Sequence, residues 1–235
     1  MIYGTPIAGI GIRFLWQPQM ALVSSKTTTP RRAMPKQARR DQLIKATIKC
    51  IAKQGLSATT MLDITREAGL SLGIVNLHFE SKEKLLIETL RQVTTEYKDG
   101  LSKIFEDESK STVEKVLAHV DYDFSRKILN RNKLAVWFAF WGEAKSRPTY
   151  SRICSSHDRE LAGDLTKLFQ DLIDEGGYRR VDARRTATGY TALADGLWLD
   201  ILITPKETSP EQAREIAMDY LSALFSEHFP GNGES

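Results

Sequence analysis

The sequence predicts an all-α protein on three observations. Apolar residues recur at helical spacing along most of the 235 residues, no stretch alternates like a strand, and helix start and stop signals punctuate the chain. From Gln37 to Gln54, Leu43, Ile44, Thr47, Ile48, Ile51 and Ala52 keep the 3.6-residue period, and Gly55 closes the segment. Thr60 and Asp63 read as a capping box for a second helix carrying Met61, Leu62, Ile64 and Ala68. Gly69 ends it, since glycine enters a left-handed turn without a Cβ penalty. Ser71 is the expected N-cap of a third helix, its hydroxyl accepting from the next turn's amides. Ser81 caps a fourth, which runs from Lys82 through Leu85, Leu86, Leu90, Val93 and Tyr97 toward Phe105. At about 1.5 Å per residue it is long enough to link two domains. Ser111 and Glu114 open a helix expected to run through Phe124 to Ile128. Lys133 to Ala144 is short and aromatic, and Pro148 begins a long helix that stops at Gly176 and Gly177. Asp182 caps a helix to Thr204, ended by Pro205, and Ser209, Pro210 and Gln212 supply a cap, an N1 proline and a capping-box glutamine.

Two short helices joined by a glycine turn between Thr60 and Phe79 fit a helix-turn-helix. Ala68 and Gly73 are expected where the helices cross, and Ile64 and Val75 to supply apolar contact. Leu72, Asn76 and Leu77 would then lie on the outer face. The net charge is only +3, but residues 1–100 hold 15 Lys and Arg against 8 Asp and Glu, and residues 101–235 hold 18 against 22. Arg31, Arg32, Lys36, Arg39 and Arg40 cluster just before the first helix, placed to neutralise phosphates. The bland alternatives are an ordinary helical hairpin and a solvated basic tail. Against them stands the continuation from His78 and Phe79 into a newly capped helix. The whole run resembles the DNA-binding domain of the tetracycline-repressor (TetR) family at Thr60, Ile64, Ala68, Gly69, Ser71, Gly73, His78, Phe79, Lys82 and Leu85. It departs from that pattern at Thr65 for alanine, Leu70 for valine and Asn76 for tyrosine, so the tyrosine's role is not carried over to Asn76. By position, Leu72, Gly73, Asn76 and Leu77 are expected at base edges. Thr60, Ser71, His78, Lys82 and the Arg39–Arg40 pair are expected at phosphates, with double-stranded operator DNA as the partner.

The length and the 41% hydrophobic content allow a full core. No apolar run reaches the roughly 18 residues of a membrane helix, because Asp195 and Asp200 interrupt the richest segment, and no membrane partner is expected. Cys50 and Cys154 are too few for a disulfide framework or a zinc cage, which fits a reduced, cytoplasmic setting. An enzyme finds little support. His78, His119, His157 and His228 show no metalloprotease spacing, and Gly9 and Gly11 open no phosphate loop. The nearest thing to a metal or acid/base cluster, His157 and Asp158 near Glu160, reads as a solvated helix face. No cofactor or metal is expected. An architectural DNA-binding protein would need no second domain with a cavity. The expected organisation is a disordered arm or over-extended N-terminus over 1–33, a DNA-binding domain over 34–81, a helical effector-binding and dimerisation domain over 82–229, and a flexible tail over 230–235.

The segment Leu134 to Glu143 packs four aromatic rings into five positions, with Trp137 and Trp141 on one face. Core packing is the usual meaning of such a stripe. Tryptophan, however, is large and carries a donor that wants a partner, and Asp195 sits in the apolar run from Tyr190 to Ile203 with Trp198 three residues on. A carboxylate there must be solvated, paired or waiting for a cation. Rings plus a carboxylate are what a quaternary ammonium requires, since it donates no hydrogen bond and is held by cation–π attraction of about 0.5 to 2 kcal/mol. The candidate ligand residues are Tyr122, Trp137, Trp141, Asp195 and Trp198, with Phe124 beside Tyr122. Here the resemblance narrows. Met34 to Lys36, Trp137 to Trp141 and Ala194 to Leu199 look like the BetI-type repressors, a similarity running from about residue 34 to 225. It implies a repressor of choline uptake and of choline oxidation to glycine betaine that responds to choline. Another lipophilic cation or a neutral apolar metabolite is the alternative effector. The resemblance also implies a homodimer formed by the segments around Asp182 to Thr204 and Ser209 to Phe229, with helix four carrying the motion between the domains.

Overall fold

The computed structural model describes residues 35–230, and the expectations for residues 1–33 and 231–235 lie outside them. Within the described residues the chain is helical throughout, with no strand: α1 Lys36–Gln54, α2 Met61–Ala68, α3 Leu72–His78, α4 Lys82–Phe105, α5 Thr112–Asp123, α6 Arg131–Ala144, α7 Pro148–Gly176, α8 Ala183–Ile203 and α9 Pro210–Leu224.

Local chemistry sets these boundaries. The Thr60/Asp63, Ser111/Glu114 and Ser209/Gln212 capping boxes all form, and Ser81 accepts from the Lys84 amide. Gly69 adopts φ 63°, and the Leu70 amide reaches back to the Thr65 carbonyl at 2.9 Å, so α2 ends in a Schellman-like turn. Thr65, where the family pattern has alanine, is buried but donates its hydroxyl to the Leu62 carbonyl at 2.8 Å.

Several expectations are corrected. Ser71 occupies the N-cap position of α3, yet its side chain makes no capping bond. Gly73 lies on the exposed face rather than at the helix crossing, and a Cβ there would meet nothing closer than the Ser71 Oγ at 3.9 Å. Ile64 and Val75, expected to supply the apolar contact between α2 and α3, are both fully buried in one core. Helix α5 stops at Asp123 rather than Ile128, because the Ser125 amide and hydroxyl both turn back to the Tyr122 carbonyl, at 3.1 and 2.7 Å. Helix α6 starts at Arg131, two residues early, because Asn130 Oδ1 accepts from the amides of Asn132 and Lys133.

Two hydrophobic cores result. Leu43, Ile44, Ile64, Val75, Phe79 and Leu85 close the small one, so the first turn of α4 is built into the unit formed by α1, α2 and α3. The larger core runs through α4 to α9 and also takes Ile51 from α1 and Leu56 from the turn that follows it. Helix α6 packs on α1, and polar contacts extend that seam. The Ser57 hydroxyl meets Glu143 at 3.2 Å, and the Arg147 guanidinium reaches Glu83 at 3.1 Å and Glu143 at 3.5 Å. The Tyr150 hydroxyl donates to Glu83 at 3.2 Å. Exposed pairs of this kind contribute about 0 to 1 kcal/mol each, so apolar packing does most of the holding. Phe140 is fully buried, edge-on to Tyr150 at 4.8 Å. Phe140→Ala is therefore expected to lose about 3 to 5 kcal/mol in chemical denaturation.

Candidate functional site

On α3, Leu72, Gly73, Asn76 and Leu77 are all exposed, and at about 100° per residue they share the face opposite buried Val75. Leu72 is 49% and Leu77 76% exposed, large values for leucine on a short helix. Leu62, counted from sequence in the apolar stripe of α2, is 62% exposed and joins this outward set. Ser71 is exposed and Lys82 half-buried beside them.

The residues expected at phosphates divide. Thr60 is occupied internally: its hydroxyl donates to Asp63 at 2.6 Å and accepts from the Asp63 amide, and its own amide donates to Asp63 at 3.0 Å. These bonds and the Gln54 amide hold the Asp63 carboxyl below its ordinary range, so the start of α2 already carries an anion. Arg40 is likewise turned inward. Its guanidinium donates to the His78 carbonyl at 2.8 Å, lies 4.4 Å over the Phe79 ring and reaches Glu88 at 3.4 Å. It thereby caps the carbonyl end of α3 and ties it to α4. Arg39 donates to Gln42 at 2.9 Å, and Gln42 donates to the Ala68 carbonyl at 2.7 Å. His78 contributes the carbonyl that Arg40 binds, while its Nδ1 is buried without a hydrogen-bond partner among the described residues.

The second constellation lies in the larger core. Tyr97 from α4, Trp137 from α6 and Trp198 from α8 meet almost at right angles. The ring centroids are 5.8 Å apart for Tyr97–Trp137 at 75°, 5.4 Å for Tyr97–Trp198 at 84° and 6.3 Å for Trp137–Trp198 at 86°. Trp141 sits 6.0 Å from Trp137. The three orthogonal rings separate two small cavities. One, about 30 Å³, is lined by Val93, Ile128, Leu134 and the ion-paired Glu96 and Lys133. The other, about 20 Å³, joins the rings and Trp141 to Asp123, Asp158, Asp195 and His119.

The sequence-predicted Trp137, Trp141, Asp195 and Trp198 thus converge on the second cavity. Tyr122 does not: it stacks behind Tyr97 at 5.8 Å, donates to the Glu96 carbonyl and lines neither cavity. Phe124 is buried in the core. Asp158, read from sequence as part of a solvated face, borders the cavity; the side chain of His157 lies outside the described residues.

Sequence reasoning missed the polar centre. Asp123 is 1% exposed, and its two oxygens accept from the hydroxyls of Tyr97 at 2.6 Å and Tyr190 at 2.9 Å. The Trp198 indole N–H donates to its backbone carbonyl at 3.1 Å. Burial, then Asp123, pushes both tyrosine hydroxyls well above their ordinary 10, so they remain donors. His119, one helical turn before Asp123, is 2% exposed, with Nε2 3.3 Å from Asp123 Oδ2. Burial lowers its pKa although Asp123 pulls the other way. Asp195 is raised to about 7, first by burial and then by Asp158 and Asp123. Among the described residues no cluster of His, Cys, Asp or Glu converges to hold a metal ion, and no helix is long and apolar enough to cross a membrane.

Residues 43–89 match the family model described as bacterial regulatory proteins, tetR family, and residues 112–226 match that of the BetI-type transcriptional repressor, C-terminal. The chain is 34% identical over 193 residues to the HTH-type transcriptional regulator BetI 2 of Chromohalobacter salexigens, covering 81% of this chain and 90% of that one. Among solved structures, a transcriptional regulator from Pseudomonas aeruginosa PAO1 aligns at TM-score 0.72 and 28% identity, covering 83% of this chain and 94% of that one. A transcriptional regulator from Saccharomonospora viridis in complex with choline aligns at TM-score 0.71 and 23% identity over 80% and 97%, a likeness that speaks for the fold alone. The fold and the matches define a DNA-binding transcription regulator. The chain belongs to the TetR family, which is not a family of enzymes, and carries a BetI-type C-terminal domain.

Two expectations follow. Arg40→Met should lower the melting temperature of the free protein and leave the salt dependence of DNA binding unchanged, whereas Lys82→Ala should reduce the salt slope by about one. Melting curves and binding isotherms at several salt concentrations check both. Asp195 holds its proton more tightly folded, at about 7, than its ordinary 3.8. The folded state therefore binds more protons across that window, and stability falls as pH rises from about 4 to about 7. Asp195→Asn is expected to raise the melting temperature more at pH 8 than at pH 5.

Proposed function

We propose that this protein is a homodimeric BetI-like repressor whose grip on operator DNA is weakened when a small quaternary ammonium cation, choline above all, enters the cavity between Trp137, Trp141, Trp198 and Asp195. In this reading residues 34–81 bind DNA through Leu72, Gly73, Asn76 and Leu77 at base edges and Ser71 at phosphates, with Lys82, the first residue of α4, adding a further phosphate contact. Residues 82–229 bind the effector and the second subunit, and the regulated genes serve choline uptake and oxidation to glycine betaine. The observation that carries the effector is the ring corner beside Asp195: three rings at 75–86° to one another would enclose a trimethylammonium group once they part, and the neighbouring carboxyl selects positive charge. The exposed Leu199 and Ile203 on α8 and Ile216 on α9 support a subunit interface there. A two-fold pair of reading heads would suit half-sites about 34 Å apart.

The ligand acts by preferring the conformation whose heads are misspaced, since equal affinity for both conformations shifts nothing. Helix α4 carries both Tyr97 and the first-turn Leu85 of the reading head, so it is the route we favour. A neutral apolar metabolite remains the second reading, favoured by the almost wholly apolar first cavity. Calorimetry with choline, an uncharged isostere and the Asp195→Asn variant separates the two. Choline should bind the wild type, the isostere far more weakly, and the variant should lose choline affinity. Choline should also weaken binding to a palindromic operator in the same buffer. Equal affinity for choline and the isostere would leave only the DNA-binding part of the proposal.

A further inference from the structure

His119 is the buried polar group whose capacity the fold leaves unspent. It is 2% exposed, stacked on Phe105 at 5.5 Å and tilted against Tyr190 at 5.2 Å, and it lines the second cavity. Neither ring nitrogen has a hydrogen-bond partner among the described residues. Nε2 approaches Asp123 Oδ2 at 3.3 Å without hydrogen-bond alignment, and the two Asp123 oxygens already accept from Tyr97 and Tyr190. Buried polar atoms in native proteins are nearly always satisfied, and the exceptions point to a role in binding or to a water. His119 comes from α5, whereas Trp137 and Trp141 come from α6 and Asp195 and Trp198 from α8, so the cavity has a hydrogen-bonding side that the ring corner does not supply.

The geometry points to His119 as the residue that selects the uncharged polar end of the effector, by hydrogen bonding to a hydroxyl or carbonyl while the ring corner and Asp195 hold its quaternary ammonium. This rests on the cation reading of the same cavity. Burial keeps the imidazole neutral, with one nitrogen donating and the other accepting, which matches a hydroxyl that also does both. A carboxylate in that place could accept from the imidazole but has no proton to offer its other nitrogen, so it satisfies the ring less well than a hydroxyl. The ligand class is therefore a small quaternary ammonium alcohol, and a zwitterionic acid of the same length is disfavoured.

The test uses the full-length protein and three probes: choline, n-propyltrimethylammonium, in which a methyl replaces the hydroxyl, and glycine betaine. Wild type should bind choline roughly five- to tenfold more tightly than the propyl compound, about the worth of one well-made hydrogen bond, and glycine betaine more weakly than choline. His119→Leu should bring choline and the propyl compound to near parity by weakening choline alone. His119→Gln, which keeps a donor and an acceptor, should retain the preference and guards against a folding defect in the leucine variant. Equal binding of the two cations by wild type, or an undiminished preference in His119→Leu, would overturn the role of His119 and mean that a water satisfies the ring. Neither result touches the cation site itself. Failure of wild type to bind any of the cations would instead remove the cation reading, and this inference with it.

Discussion

A buried carboxyl group is costly unless it is hydrogen-bonded, and the larger core of this protein is arranged around one whose two oxygens each accept from a tyrosine hydroxyl. Asp123 sits at the end of α5 and draws Tyr97 from α4, Tyr190 and Trp198 from α8, and His119 from its own helix to one point. Those hydrogen bonds fix the two hydroxyls and the indole in direction as well as position. The right-angled corner of Tyr97, Trp137 and Trp198 follows, because two of its three rings are pinned to the same residue. Losing the Asp123 side chain would remove the acceptor that both buried hydroxyls use, at about 1 to 3 kcal/mol for each buried polar group left unsatisfied.

The helical framework was legible in the sequence because its boundaries are set by local chemistry. The capping boxes at Thr60, Ser111 and Ser209 and the glycine turn at Gly69 act within four or five residues, and all four form as read. Where the reading slipped, a side chain competed with the backbone in a way composition does not signal, as with Ser125 shortening α5 and Asn130 advancing α6. Part of the effector cavity was also legible, since two tryptophans one turn apart and an aspartate in an apolar run are anomalies in a helix. Its polar centre was not. His119 and Asp123 lie four residues apart and look like an ordinary solvated pair until α4 and α8 close over them. Tyr97, not the expected Tyr122, supplies the tyrosine ring of the second cavity, and its place in the stripe of Leu86, Leu90 and Val93 announces its burial.

The reading head shows how a basic residue count overstates the surface offered to an anion. Arg40 is committed to the His78 carbonyl, the Phe79 ring and Glu88, and Thr60 to Asp63. What these residues contribute is the attitude of α3, held by its carbonyl end against α4. The outward face is correspondingly spare: one amide side chain, three leucines counting Leu62, a serine, and a glycine whose added Cβ would meet no described residue closer than the Ser71 Oγ at 3.9 Å. Among the described residues nothing requires Gly73 to lack a Cβ, which fits a close approach by something outside the chain.

The second cavity, at about 20 Å³, has room for about one water, not for a group bearing three methyls. The rings that the proposed cation would sit between are packed against each other instead, so the proposed site is closed in this structure. Capture of a ligand then has two steps, a parting of the aromatic wall and the filling of the gap, and the first does not depend on how much ligand is present. At high concentration the observed association rate would level off at the rate at which the wall opens. The protein would answer to the level of its effector while its promptness was set by the stiffness of its own core.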